Sequence, residues 1–451
     1  MMKYEYVNTG IEWIGEIPKH WNVTTIKKEF QVIPSNVDKK TEDDETEVKL
    51  CNYVDVYYND FINPSLDFMV ASATDNEINK FQLKLGDVLI TKDSEDPFDI
   101  AVPALVKHSE DKLLCGYHLS MIRSINNRVD GSFLFWALKD EVIATQLWRQ
   151  ACGVTRWAIA SRHIKNSTIP FPPKPEQFAI ASYLEKACFD LDRVLEIKRK
   201  QIENLQEQLK SIIYYTVSKG LNSKAEMKES NIDWIENVPK HWKIERLKDI
   251  SRIIETGSTP PTSVYEYYEN GTISWYGPSS FNGNVYLSEP VKLVNEIAKN
   301  DGELKMFETG SLMIIGIGAT IGKTALISEP SSCNQQLNIF TPDEKILPEY
   351  LLFFMKRYEE IIIQIAQFTT LPIFNQTRCG SLNIAFPPKK EQKEIIDFLN
   401  VELRKVKTAQ TKIEKQIETL LLYKKSIIHE VVTGKKQVYN LSKVKSKLQT
   451  A

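Results

Sequence analysis

The sequence has little that would mark a secreted, disulfide-bonded or membrane-spanning protein. Its six cysteines are widely scattered and none forms a C-x-x-C pair, which argues against a zinc ribbon and a disulfide framework. No run approaches the ~18 to 20 apolar residues of a membrane-spanning helix, and Met1 to Gly10 lacks the apolar segment of a signal peptide. We therefore expect a cytoplasmic protein with reduced thiols and no membrane partner.

An excess of one charge is also missing. The 57 Lys and Arg residues nearly balance the 59 Asp and Glu residues, so the formal net charge is −2. This balance excludes a uniformly basic nucleic-acid coat, and any nucleic-acid surface must be a local patch. With 42% hydrophobic and 26% charged residues the composition is that of a globular protein. At roughly 150 residues per domain, the length corresponds to about three domains.

Two segments resemble catalytic motifs, but each lacks a residue that the motif requires. The segment 316–324 ends like a Walker A loop, but position 317 is Ile where the motif needs Gly. We interpret it as a glycine-rich strand–turn–strand whose Lys323 faces an anionic group. The F-P-P-K segments at 171–174 and 386–389 lack the polar first residue of the N-P-P-aromatic loop in amino-methyltransferases. The sequence thus predicts no catalytic residue, no metal site and no cofactor in this chain.

The chain contains an internal repeat. The segment Ile11–Trp21 recurs as Ile232–Trp242, an offset of 221 residues, and Ile169–Gln177 recurs as Ile384–Gln392, an offset of 215. Each copy is a similar frame around a different centre, which indicates one fold with two sequences. His20 and His241 belong to this frame, so we assign them to packing or turn formation.

Within the centres, short apolar runs bounded by turn residues predict strands, and two longer stretches predict helices. The predicted strands include 87–91, 119–123 and 312–317, and the predicted helices span 133–149 and 350–367. The segment Cys115–Leu119 occupies the place of Cys333–Leu337. The sequence therefore predicts an α+β fold.

After each F-P-P the apolar period changes to alternating steps of four and three, which is typical of a coiled coil. Prolines set the start of each helix, and about 40 residues at 1.5 Å per residue give a rod of roughly 60 Å. A helix hairpin or a dimerisation zipper would have the same pattern, but two copies in one chain favour intramolecular, antiparallel pairing about an approximate twofold axis. The predicted core positions are Leu184, Leu191, Leu195, Ile202, Leu205, Leu209, Ile212, Leu399, Leu403, Val406, Ile413, Ile417, Leu420 and Ile427.

The centres also contain side chains suited to DNA. Amides suit adenine, Arg suits guanine, and Lys and Arg bind phosphates. In the first centre the candidates are Lys92, His118, Arg123, Arg149, Arg156 and Arg162, and in the second they are Ser258, Thr259, Ser279, Lys323, Gln335, Gln336, Gln376 and Arg378. The stretch 389–447 holds fifteen Lys and Arg against seven Asp and Glu, so it is basic although the chain is not.

The repeated order I-[ED]-W-I-x-x-[IV]-P-K-H-W, a divergent centre, F-P-P-K-x-E-Q and a long heptad helix resembles the specificity subunits of Type I restriction-modification systems. The resemblance covers nearly the whole chain. It implies two globular target recognition domains joined by two long helices that form an antiparallel coiled coil, with an internal pseudo-twofold repeat. The implied segments are 1–170 and 223–385 for the recognition domains, 171–222 for the first helical region and 386–451 for the second with its tail.

The resemblance also implies function. Each recognition domain would read one half of a split, asymmetric sequence in double-stranded DNA, and the chain itself would carry no catalysis. Its partners would be two modification (methyltransferase) subunits and the restriction (motor and nuclease) subunits. S-adenosylmethionine, ATP and Mg²⁺ would be bound by those partners, and the methylated atom would be adenine N6.

Two alternatives remain open at this point. An autonomous enzyme would turn over S-adenosylmethionine or ATP alone, which the incomplete motifs argue against. A coiled-coil scaffold would bind DNA without sequence preference at physiological salt, and it would not need polar, aromatic loops in its centres.

Overall fold

The computed structural model describes residues 4–126, 129–366 and 373–438, which form two compact units. The first unit contains the described residues of 1–199 and 414–451, and the second contains those of 200–413. The sequence analysis predicted four segments, two of which hold the long helices apart from the recognition domains. In the structure, each long helix instead contributes one part to each compact unit. Position 367, the end of the second predicted helix, and positions 439–447 of the basic stretch lie outside the described residues.

The first unit combines short strands with short helices. Its strands are β1 (Tyr6–Asn8), β2 (Glu16–Pro18), β3 (Asn22–Thr25), β4 (Phe30–Pro34), β5 (Thr46–Cys51), β6 (Phe61–Ile62), β7 (Met69–Ala73), β8 (Val88–Thr91), β9 (Asp93–Ser94), β10 (Pro103–Val106), β11 (Leu113–Cys115), β12 (Leu119–Ser124), β13 (Cys152–Gly153), β14 (Trp157–Ala158) and β15 (Thr168–Phe171). Its helices are α1 (Ile26–Glu29), α2 (Tyr53–Tyr57), α3 (Asp75–Phe81), α4 (Gly131–Lys139), α5 (Glu141–Trp148) and α6 (Ser161–Asn166), and α7 (Lys174–Lys219) continues into the second unit.

The second unit has the same kind of composition. Its strands are β16 (Met227–Ile232), β17 (Ile235–Pro239), β18 (Lys243–Arg246), β19 (Ser251–Thr256), β20 (Ile273–Tyr276), β21 (Lys292–Val294), β22 (Leu312–Ile315), β23 (Thr324–Leu326), β24 (Ser332–Cys333), β25 (Leu337–Pro342) and β26 (Asn383–Phe386). Its helices are α8 (Glu296–Asn300), α9 (Pro348–Ala366) and α10 (Gln376–Gly380), and α11 (Lys389–Val432) continues into the first unit.

The two units share one sheet topology. The main sheet has the order β4-β12-β8-β10-β6 in the first unit and β19-β25-β22-β23 in the second. A second sheet pairs β11 with β5 and β24 with β20, in both cases in parallel. The predicted α+β fold and the equivalence of the two centres are therefore confirmed.

The apolar patterns predicted the positions of the main strands and helical stretches. The run 87–91 contains β8, the run 312–317 contains β22, and the run 119–123 covers all of β12 except Ser124. The segment from 316 to 323 is the predicted turn between β22 and β23. The stretch 133–149 is two helices rather than one, because Asp140 ends α4 and caps α5 by accepting a hydrogen bond from Val142 N at 2.9 Å. Its other carboxylate oxygen contacts His429 Nδ1 at 2.9 Å.

The long helices run antiparallel within each unit. In the first unit Lys424 Nζ donates to Asp192 Oδ1 at 2.7 Å, while Lys436, beyond the end of α11, lies 5.4 Å above the Tyr183 ring near the start of α7. In the second unit Glu391, in the first turn of α11, lies beside Gly220 at the end of α7.

The seam positions lie inside. Among the fourteen predicted core residues of the two helices, Leu184, Leu195, Leu399, Val406 and Ile427 are buried and the others are half-buried. Lys424, which interrupts the apolar pattern, is half-buried because its ammonium group reaches Asp192. A charged residue is thus accommodated in the seam by an ion pair.

The repeated sequence blocks bind each other. Glu176 accepts hydrogen bonds from Trp21 Nε1 at 2.9 Å and contacts His20 Nε2 at 2.8 Å. The equivalent Glu391 contacts Trp242 Nε1 at 3.1 Å and His241 Nε2 at 2.7 Å. His20 and His241 are exposed, and each binds a carboxylate at the start of a long helix, which is a structural role within the repeated frame.

The glutamine that follows each glutamate completes the frame. Gln177 Nε2 donates to Pro172 O at 2.8 Å, and Asp130 N donates to Gln177 Oε1 at 3.0 Å. Gln392 makes the corresponding bonds to Pro387 O at 2.8 Å and from Leu347 N at 2.7 Å. Each P-K-x-E-Q block therefore ties a loop of the globular part to the first turn of its helix.

We expect Glu176→Ala to lower the free energy of unfolding by about 1 to 3 kcal/mol, because the buried Trp21 N–H then has no acceptor. Urea unfolding followed by circular dichroism measures the change. The matched control is Glu185→Ala on the same helix, whose exposed ion pair with Lys107 contributes under about 1 kcal/mol. Equal losses for the two variants would contradict the role given to Glu176.

Candidate nucleic-acid interface

Three chain segments meet at equivalent places in the two units. In the first, Lys92 N donates to His118 O at 3.0 Å and Ile159 N donates to Lys92 O at 2.9 Å. In the second, Gly316 N donates to Gln336 O and Phe374 N donates to Gly316 O, both at 2.8 Å. The loop that leads from β11 to β12 in the first unit, and from β24 to β25 in the second, is therefore held by the same backbone hydrogen bonds. The side chains of the two loops differ.

In the first unit this loop forms a charged cluster. His118 Nδ1 binds Asp93 Oδ1, and Arg156 Nε donates to the same carboxylate oxygen at 2.9 Å. Arg156 Nη2 also binds Asp93 and lies 3.0 Å from His118 Nδ1. Arg156 stays half exposed, whereas His118 and Asp93 are largely covered. Burial lowers the pKa of His118, although the Asp93 carboxylate acts in the opposite direction.

Aromatic rings surround the cluster. The Tyr117 ring centroid lies 3.6 Å from that of His118, and Tyr53 meets His118 edge-on at 6.5 Å. Tyr53 OH contacts Ser94 Oγ at 3.0 Å, and burial raises the pKa of Tyr53. The rings restrict the movement of His118 and leave the outer edge of Arg156 open.

Lys92 lies in the same cluster but points inward. Its Nζ donates to Ser35 O at 2.7 Å, and burial lowers its pKa. The ammonium group thus stabilises a backbone carbonyl. Among the candidates that the structure brings together in this unit, Arg156 is the one whose charge remains accessible.

The other arginines of the first unit are placed elsewhere. Arg123 forms a two-pronged ion pair with buried Asp87, at 2.8 and 2.6 Å, so it is a structural cation and the expectation that it binds DNA is not supported. Arg149 is paired with exposed Glu12 of the repeated frame. Arg162 lies exposed on α6, where its Nε donates to His163 Nε2 at 3.1 Å.

In the second unit the cluster is made of neutral groups. Thr259 Oγ1 donates to Gln335 Oε1 at 2.6 Å, and Asn334 Nδ2 donates to Gln336 Oε1 at 3.0 Å. Gln335 and Gln336 are exposed. Ser258 belongs to the supporting layer, since its carbonyl accepts from Trp275 Nε1 and its Oγ accepts from Lys305 N, both at 2.9 Å.

The remaining candidates of this unit surround the amides at different depths. Gln376 and Arg378 lie on α10, directly after the Phe374 backbone that binds Gly316, and Arg378 is exposed with Nη1 on Ile373 O at 3.1 Å. Lys323 is half-buried at the end of the turn between β22 and β23. Ser279 is exposed in a 3₁₀ turn that follows β20.

A sequence model of the Type I restriction modification DNA specificity domain matches residues 18–207 and again residues 239–419. The two matches span most of the chain, and each coincides with one copy of the repeat. The chain belongs to the Type I restriction-modification specificity subunits.

Relatives of this family match the chain at low identity and high coverage. The MjaIX specificity subunit of Methanocaldococcus jannaschii is 23% identical over 448 residues, 95% of this chain and 96% of the relative. The MjaVIII specificity subunit of the same organism is 24% identical over 326 residues, 70% of this chain and 73% of the relative. The EcoR124I/EcoR124II specificity subunit of Escherichia coli is 24% identical and covers 52% of this chain and 55% of its own length.

Solved structures show the same fold. A chain from work on the complex assembly and conformational transition of a type I R-M system superposes with a TM-score of 0.70, at 16% identity, covering 92% of this chain and 98% of that one. The HsdS subunit of Thermoanaerobacter tengcongensis gives a TM-score of 0.53 at 18% identity, covering 93% and 98%.

Part of the specificity subunit's candidate interface was missed by the sequence analysis. Asp93 and Tyr53 were not among the candidates, although they hold Arg156 and His118 in place. An acidic residue directly after Lys92 at the end of a strand was the available signal. Within the described ranges, no group of His, Cys, Asp and Glu is arranged to hold a metal ion, and no helix is long and apolar enough to cross a membrane.

Removing the charge of Asp93 should lower the pKa of His118 further, because the carboxylate favours the imidazolium form. NMR titration of the histidine ring protons in Asp93→Asn measures the shift, with His118→Gln assigning the resonance. Asp111→Asn removes an exposed carboxylate of the same unit and is expected to leave this pKa unchanged. An unaltered His118 pKa in Asp93→Asn would contradict the contact.

Proposed function

We propose that this specificity subunit reads a bipartite, asymmetric sequence in double-stranded DNA, with one unit for each half-site. The observation that carries the proposal is the shared loop position with different side chains: Tyr117 and His118 in the first unit, Gln335 and Gln336 in the second. A common backbone with unlike polar groups suits two different base sequences. Because the two clusters differ in chemistry, the half-sites should differ as well.

The kinds of side chain present support direct reading of bases. Arg156 offers a planar set of donors, which matches the two acceptors of guanine in the major groove. Gln335 and Gln336 offer amides, which match the donor and acceptor of adenine. Exposed Arg378 offers the second unit a guanidinium group that also matches guanine, whereas exposed Arg162 is suited to phosphates, which position a protein without specifying sequence.

We further propose that chemistry is supplied by partner subunits. Two modification subunits would bind S-adenosylmethionine, extrude an adenine and methylate N6, since a base within a duplex must be flipped to be reached. Restriction subunits would bring ATP and Mg²⁺. This chain would recognise the target sequence and provide the docking surface for the partner subunits. It would need no cofactor of its own and would act in the cytoplasm.

The scaffold alternative explains less of the molecule. It accounts for the long helices but gives no reason for a charged cluster at one loop and an amide cluster at the equivalent loop. The enzyme alternative needs a nucleophile, a base or a cofactor pocket, and the side chains at the two loops are bound to one another as a recognition surface would be.

Sequencing of native DNA with detection of N6-methyladenine tests the proposal. Cells with and without this gene are compared, each carrying the modification partner. One bipartite motif with a gap of several base pairs is expected to lose methylation when the gene is absent. Purified complex should bind this motif more tightly than a scrambled duplex at physiological salt. A complex that binds both duplexes equally would contradict the proposal.

Gln336→Ala and Arg378→Ala are expected to weaken discrimination in the second half-site only, by roughly 5- to 150-fold per lost bidentate contact. Methylation of motif variants measures the effect position by position. Glu289→Ala, at an exposed site of the same unit, is the control and should leave the motif unchanged. Equal relaxation of both half-sites would contradict the assignment of one half-site to each unit.

Ile417→Asp combined with Leu420→Asp should abolish recognition of the gapped motif, because both side chains are half-buried in the helical seam and a charge there costs desolvation energy. Binding of the full motif and of each half-site alone separates lost spacing from lost folding. Gln416→Asp with Thr419→Asp introduces the same charges at exposed positions of the same helix. Unchanged binding in the first pair would contradict the role of the seam.

A further inference from the structure

One arginine in the first unit is held by an acid before any DNA is present. Arg156 uses Nε and Nη2 to bind Asp93 Oδ1, and His118 lies against Nη2. Both bonds come from one edge of the guanidinium group, so Nη1 and the outer hydrogen of Nη2 point away from Asp93. The acid therefore fixes the plane of the group, and among the described residues no partner contacts Nη1, which with Nη2 forms the edge that faces away from the carboxylate.

The backbone around Arg156 is built to present it. The residue lies in the tight connection between β13 and β14, and β14 pairs with β9, which carries Asp93. A Cβ at Gly153 would lie 2.0 Å from Arg156 O, so only glycine permits this turn. Neighbouring Val154 is 95% exposed. The hairpin thus projects from the unit while its arginine is anchored to the sheet.

We propose that Arg156 reads a guanine in the first half-site, and that Asp93 is the positioning residue that orients it. This inference rests on the proposed function and names the base that the first unit recognises. A guanidinium edge with two parallel donors matches guanine O6 and N7 in the major groove. Fixing the side chain beforehand removes rotamer entropy that would otherwise be lost on binding.

The position of Asp93 argues for orientation rather than attraction. A carboxylate at a DNA-facing loop repels phosphates, so it weakens sequence-independent binding. Its side chain also adds little to the fold, because among the described residues that side chain binds only those of His118 and Arg156. Lys92, the neighbouring cation, is committed to Ser35 O and does not compete for the base.

Among the residues that the structure describes, the second unit has no such device at its equivalent loop. Gly316 occupies the place of Lys92, and the exposed side chains there are the amides of Gln335 and Gln336. Ile317, in place of Asp93, has no charge to orient an arginine. We therefore assign recognition of a guanine by a pre-oriented arginine to the first half-site alone.

The test uses the complex of this chain with its modification partner and duplexes that contain the methylated motif. Each guanine of the first half-site, on either strand, is replaced in turn by 7-deazaguanine, which lacks the N7 acceptor, or by inosine, which keeps O6 and N7. At one position the wild-type complex should lose roughly 10- to 100-fold in affinity with 7-deazaguanine and little with inosine. With Arg156→Ala this penalty should disappear.

The Asp93→Asn variant should change DNA binding in a way that a folding defect would not. We expect it to reduce the 7-deazaguanine penalty severalfold and at the same time to strengthen binding to a scrambled duplex, because a negative charge is removed. A residue that mattered only for folding would weaken both. The double variant Asp93→Asn with Arg156→Ala should show no penalty beyond that of Arg156→Ala.

Lys49→Ala removes an exposed charge that is paired with Glu110 in the same unit, and it should keep the full 7-deazaguanine penalty. Absence of guanine from the first half-site, or a penalty that survives Arg156→Ala, would overturn this inference while leaving the bipartite function intact. Equal binding of motif and scrambled duplex by the wild-type complex would instead overturn the proposed function itself.

Discussion

A carboxylate at the start of each long helix, buried at Glu176 and half-buried at Glu391, is the contact on which the rest of the architecture depends. Glu176 is reached by Trp21, His20 and Tyr4, so three side chains of the N-terminal block converge on one residue of α7. A carboxylate in such a place is tolerated only when its oxygens are satisfied. The motif P-K-H-W is therefore bound to the motif P-K-x-E-Q, and neither has a reason to recur without the other.

This constraint leaves the centres free to differ. The strands β3 and β15 pair next to the frame in the first unit, and β18 and β26 pair in the second with the same register. Between these anchors the main sheets keep one topology, although the second unit's main sheet has one strand fewer. Backbone hydrogen bonds, which do not depend on side-chain identity, hold the variable loops. Side chains at those loops can then change without loss of the fold.

The sequence was sufficient for the features that depend on local periodicity or on repetition. The repeat, the strands with alternating or apolar runs, the start of both long helices after prolines and the half-buried or buried seam all follow from the spacing of residues along the chain. Where a long-range contact decides, the sequence was insufficient. The helical stretch is divided at Asp140, which caps α5 and whose other carboxylate oxygen is bound by His429, far along the chain. The ion pair of Arg123 with Asp87 likewise depends on two strands being neighbours.

The same reasoning separates cations by position rather than by type. Lys92 and Arg156 lie in one cluster, yet the first is committed to a backbone carbonyl and the second keeps an open edge. By residue type alone, the two side chains are equally good candidates for contacts with phosphates or bases. The difference arises because Lys92 follows β8 and its Nζ is bound to Ser35 O, whereas Arg156 lies on a hairpin that Gly153 makes possible. In our proposal Arg156 can specify a base because its donors are held in a fixed orientation, and the neighbouring Asp93 provides that orientation.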